Sequence, residues 1–169
     1  GEAQGGAPLD VASRVAAGWS AIVDLAMAAA QRHASVPEAE RAACVKTVRK
    51  ATKSGRSLIR MLHGAMSHEA RSGAERLLGD AASLLSAIRD RDAMIDAIDR
   101  LLEGKQDARA QQARLLLISI VAHPPVGDDQ FAYEVATVRR AAALIARAND
   151  VIGEIPSEAL TCSVAAEGM

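Results

Sequence analysis

The chain has 169 residues, is 50% hydrophobic and 24% charged, sums to a formal net charge of −1, and contains a single Trp, Tyr and Phe. That length suits one domain with a substantial core, and the near-neutral total makes any local segregation of charge a feature to explain. The shortage of aromatic side chains argues against a base-stacking surface and leaves a core of Ala, Leu, Ile and Val, which favours close-packed helices over sheets.

Gly1 to Pro8 reads as a linker or cloning remnant. From Leu9 to His33, the stripe Val11, Val15, Trp19, Ile22 and Leu25 follows a capping Asp10 and predicts a first long helix. Ser35-Val36-Pro37-Glu38 has the form of a capping box with Pro just inside the start, so a second helix is expected from Pro37 to His63, stopping at Gly64. Ser67 opens a third helix that packs Leu77, Leu78, Ala81, Leu84, Leu85 and Ile88 and ends at Arg89-Asp90-Arg91-Asp92. A fourth is expected from Asp92 to Glu103, packing Met94, Ile95, Ile98 and Leu101, with Gly104 as its C-terminal cap.

Asp107 starts another helix through Leu115, Leu116, Leu117, Ile118, Ile120 and Val121, which His123-Pro124-Pro125-Val126-Gly127 ends. Asp128 to Gly153 reads as a further long helix, and Ser157 as the cap of a last one. Ala159, Leu160, Val164 and Ala165 are still in helical rhythm when the chain stops at Met169, which reads as a cut. Short connections imply antiparallel neighbours. The expected fold is all-α, an antiparallel helical bundle, with residues 9–104 as a first bundle and 105–169 as further helices, truncated.

The second helix carries the most informative feature. From Arg41 to His68 there are seven cationic side chains, Arg41, Lys46, Arg49, Lys50, Lys53, Arg56 and Arg60, and no Asp or Glu. At about 100° per residue, Lys46, Arg49, Lys50, Lys53, Arg56 and Arg60 fall within a sector of roughly 120°, opposite Val48, Ala51, Gly55, Leu58 and Ile59. Like charges three or four residues apart repel by about 0.2 to 0.5 kcal/mol per pair, so the stripe strains its own helix unless carboxylates or a bound polyanion neutralise it.

Other chemistries find little support. His33, His63, His68 and His123 have no partners at metal-ligand spacing and read as surface or cap residues. Gly5-Gly6 and Ser72-Gly73-Ala74 lack the spacing and the strand of a phosphate-binding loop. Asp92, Asp96 and Asp99 share a helix face, but together with Asp90 they read more simply as partners for arginines and for the basic helix. Ser54, Ser57, Cys44 and Cys162 have no His and carboxylate arranged to activate them. No catalysis, metal or cofactor is therefore expected. Cys44 and Cys162 are far apart and suit a reducing, cytoplasmic setting, and no apolar run is long enough to span a membrane.

Two stretches carry a resemblance. Lys46-Thr47-Val48-Arg49-Lys50-Ala51-Thr52-Lys53-Ser54-Gly55-Arg56-Ser57-Leu58-Ile59-Arg60 is followed by Leu84-Leu85-Ser86-Ala87-Ile88-Arg89-Asp90. In order and separation they resemble the two motifs of the CHAD family, the conserved-histidine α-helical domain. One is a helix of the type His-x-x-Arg-Lys-x-x-Lys-Arg-x-Arg-x-Leu-Leu-Arg, the other a helix ending in Leu-x-x-x-Arg-Asp. Here Lys46 stands at the namesake histidine, supplying permanent rather than titratable charge, and Ser54 replaces a usual cation.

The resemblance implies two related helical bundles, of which this chain would hold the first and the start of a second. It also implies binding of inorganic polyphosphate along a basic channel, lined by Lys46, Arg49, Lys50, Lys53, Arg56 and Arg60 with Arg89 as a further member, and an address on polyphosphate granules. A nucleic-acid backbone binder and a helical protein-interaction scaffold, including one that docks the missing C-terminal half, stay open as alternatives.

Overall fold

The computed structural model describes residues 11–104, 107–121 and 128–153. Their secondary structure is entirely helical: α1 (Val11–His33), α2 (Glu38–Met61), α3 (His68–Leu101), α4 (Ala108–Val121) and α5 (Asp128–Gly153). α1, α2, α3 and α5 bury their apolar stripes against one another, whereas α4 packs on α3 alone. The shared core joins Trp19 and Ala26 of α1, Val48, Ala51 and Ile59 of α2, Leu78 and Leu85 of α3, and Val138 and Ile145 of α5. Each of the larger fully buried side chains contributes about 1.5 to 3 kcal/mol relative to exposure. α5 lies beyond residue 104, yet its apolar face completes the core built by the three helices before it.

Small residues set how closely these helices approach. A Cβ on Gly55 would sit 2.9 Å from Trp19 Cη2 and 3.1 Å from Leu78 Cδ1, so the missing side chain lets α2 press onto both α1 and α3. Gly104, just after α3, has φ +79°, the left-handed conformation expected of a glycine that ends a helix. Ser67 caps α3 by accepting from the Ala70 N–H, and Asp107 does the same for α4 through the Ala110 N–H.

Several expectations are corrected. The third and fourth helices are one: Ile88 and Ile98 pack into a single buried face, and Arg89 and Arg91 pair with the neighbouring Asp90 and Asp92 along its surface. No Gly or Pro lies between Gly79 and Gly104 to break it. Along this continuous α3, Met94 and Leu101 are exposed rather than packed, as is Leu25 on α1, whose buried stripe instead runs through Ala26, Ala29 and Ala30. The capping box does not form: Pro37 occupies the cap of α2 without a side-chain hydrogen bond, and Ser35 Oγ donates to the Arg32 carbonyl. Asp10, the loop around His123 and the helix expected after Ser157 lie outside the described residues.

Candidate functional site

The stripe owes its position to the opposite face of its helix. Cys44, Val45, Val48, Ala51, Thr52, Gly55 and Ile59 are buried, and Thr52 satisfies its hydroxyl by donating to the Val48 carbonyl at 3.1 Å. That leaves Lys46, Lys50, Lys53, Arg56 and Arg60 exposed and Arg49 half-buried. Arg49, Lys53, Arg56 and Arg60, with Thr52, form one wall of a cleft of about 250 Å³, whose other wall is Ala82 and Ser86 of α3.

No carboxylate among the described residues lines this cleft. Among the described residues, the ion pairs within 4.0 Å are made by Arg32, His33, Arg89, Arg91 and Arg114, and by none of the six stripe cations. Asp92 and Asp99 are thus not counter-charges for α2, contrary to the sequence expectation. Asp92 pairs with Arg91, and Asp99 pairs with Arg114 of α4 at 2.6 Å. The hydrogen bond from Arg114 holds the Asp99 carboxyl below its ordinary value.

Lys46 and Lys50 lie on the same helix outside the cleft lining, and Arg89 follows Ala82 and Ser86 at helical spacing on α3. The Arg89 fork donates through Nε and Nη2 to Asp90 Oδ1 at 3.0 and 2.7 Å. Both partners are more than half exposed, so the contact is screened and an anion can compete for the guanidinium.

A second constellation escaped the sequence reading. His33, expected as a surface or cap residue, is fully buried, with Nε2 2.8 Å from Glu134 Oε1. Since an ionised carboxylate only accepts, His33 Nε2 carries the hydrogen and donates. Arg91 Nη2 donates to Glu134 Oε2 at 2.7 Å, so one carboxylate ties α1, α3 and α5 together. Burial alone would raise the Glu134 carboxyl, but the hydrogen bonds from Arg91 and His33 outweigh it and hold the group below its ordinary value. Phe131, one turn earlier on α5, stacks on His33 and receives the Arg41 guanidinium 3.8 Å from its ring centre. Arg41 lies outside the stripe's sector of α2 and is engaged here instead.

The sequence does hold a signal for this cluster. His33 continues the Ala26–Ala30 stripe, Arg91 follows Ile88, and Glu134 precedes Val138 at helical spacing, so all three are polar or charged side chains at positions that read as core.

Among the described residues, no three His, Cys, Asp or Glu side chains gather as a metal site, and no helix is long and apolar enough to cross a membrane. Cys44 is a buried free thiol. A family model described as CHAD domain matches residues 21–149. Comparison with curated proteins and with solved structures returned no match.

Proposed function

Because the chain belongs to the CHAD family, which is associated with polyphosphate binding, we propose that it binds inorganic polyphosphate along the exposed face of α2 and catalyses no reaction on it. The observation that carries this reading is the composition of the α2/α3 cleft, where Arg49, Lys53, Arg56 and Arg60 converge and, among the described residues, no acid stands on the opposite wall. The cleft between the start of α2, the C-terminal half of α3 and α5 differs: there Arg41 and Arg91 are mixed with Glu38, Asp92, Asp96 and Glu134.

The chemistry follows from the ligand. Polyphosphate is a flexible chain of evenly spaced negative charge, and a rigid helix offering cations every three or four residues can follow it. From Lys46 to Arg60 the stripe covers about 21 Å of helix at 1.5 Å per residue. Arginine forks bind phosphate oxygens in pairs, and lysines add point charges. Binding removes the like-charge strain of the empty stripe and releases counterions, so affinity falls steeply with salt. Lys46 supports the same contact as a lysine point charge. Arg89 joins the site by exchanging Asp90 for phosphate. Retention on polyphosphate granules in the cytoplasm follows from this affinity.

The nucleic-acid alternative shares the phosphates but lacks stacking partners, since among the described residues no aromatic side chain lines the cleft. Competition separates the readings. Polyphosphate displaces a bound fluorescent polyanion at lower concentration than single- or double-stranded oligonucleotides of matched charge, and equal competition would favour a general backbone binder. A protein-interaction scaffold predicts no direct affinity for polyphosphate at all.

A further inference from the structure

The head group of Arg56 lies against a glycine of the neighbouring helix. A Cβ built on Gly79 of α3 would meet one atom outside its own helix within 4 Å, Arg56 Nη2 at 3.5 Å. Arg56 is exposed and lines the α2/α3 cleft, and its neighbour Gly55 is the point at which α2 presses against Leu78. Adjacent residues on the two helices therefore perform complementary tasks. Gly55 and Leu78 set the close crossing, and Arg56 extends over the bare backbone at Gly79.

We infer that Gly79 is a positioning residue for the anion site: the absence of a bulky side chain there lets the Arg56 guanidinium lie across α3 and point along the cleft. A long flexible cation otherwise samples many rotamers and surrenders that freedom on binding. One held against a flat helix surface has less to lose. An alanine at residue 79 fits, since 3.5 Å is an ordinary contact. A β-branched residue does not, because two heavy atoms on Cβ leave few rotamers clear of the space Arg56 Nη2 occupies. Neither change harms the helix, in which glycine is the poorest former after proline.

The inference rests on the polyphosphate reading only for its functional consequence, and the experiment keeps the two apart. In ligand-free protein, the Arg56 Nε–H resonance keeps its position in Gly79→Ala and moves in Gly79→Val, while thermal midpoints do not fall. An unmoved resonance in Gly79→Val overturns the inference whatever the protein binds. With long-chain polyphosphate as probe, Arg56→Ala and Gly79→Val each weaken binding on the order of tenfold, the scale of losing one charge-assisted hydrogen bond. Each also lowers the slope of log affinity against log salt by about 0.7 to 0.9, and the double variant is no weaker than either single one. Multiplying losses in the double variant, or wild-type affinity in Gly79→Val, would show that Gly79 does not act through Arg56. If Arg56→Ala itself binds as wild type, the polyphosphate reading of the cleft fails, and the resonance alone decides the positioning role.

Discussion

Glu134 holds a carboxylate where a four-helix core would ordinarily place an aliphatic side chain, and it is stable there because Arg91 and His33 each donate to one of its oxygens. Glu134→Gln leaves Arg91 with Asp92 as its remaining carboxylate partner and weakens the acceptor that faces His33, so it is expected to destabilise the protein by about 1 to 3 kcal/mol near neutral pH. The sign of the pH dependence follows from the direction of the shift. A carboxyl held below its ordinary value of 4.5 stabilises the fold fully above that value, and this stabilisation disappears as pH falls through the lower value of the folded state. Urea unfolding of wild type and Glu134→Gln across the acidic range should therefore show a penalty that shrinks with falling pH. A pH-independent penalty would contradict the assigned ion pair. The residues of the two sites were unequally legible in the sequence. Lys46 to Arg60 stand out because charge and helical period coincide within one element. His33 and Glu134 are separated by 101 positions, and periodicity within an element cannot tell which stripe will face which.

Among the elements, α2 depends on Gly55 as much as on its cations. Alanine is a better helix former than glycine by about 1 kcal/mol, yet its Cβ would lie 2.9 Å from the Trp19 ring. Overpacking of this kind costs about 1 to 3 kcal/mol, so Gly55→Ala is expected to lose stability on balance and to shift the emission of Trp19, the sole tryptophan. Thermal unfolding followed by fluorescence checks both, and a stabilised variant with unchanged emission would show that the helices can separate freely. The ends of the helices were read from local chemistry where that chemistry is used, at Ser67, Asp107 and Gly104. The reading failed at Arg89–Asp92, since alternating charges can cap a helix end or pair along a continuous helix, and only the packing of Ile88 and Ile98 into one buried face distinguishes the two.

For the molecule as a whole, one core formed by α1, α2, α3 and α5 carries the stability, and α4 stands apart from it. Leu115 and Leu116 of α4 are 66% and 63% exposed, so Leu115→Gln is expected to change unfolding free energy by no more than about 0.5 kcal/mol. A larger loss in a denaturant melt would mean that α4 contributes to the core. That core is what makes the stripe rigid, for burial on one face of α2 fixes the cations on the other. A ligand that binds only the folded state stabilises it by about 2.7 kcal/mol at a hundred times its Kd, so polyphosphate should also raise the melting temperature. The most direct measurement is the affinity of long-chain polyphosphate for wild type and for Lys50→Glu/Arg56→Glu, at low and moderate salt and with the fold of each verified. The account predicts salt-sensitive binding by wild type, and a loss of roughly 100-fold with a shallower salt dependence in the double variant. A folded double variant that binds polyphosphate as tightly as wild type would contradict it.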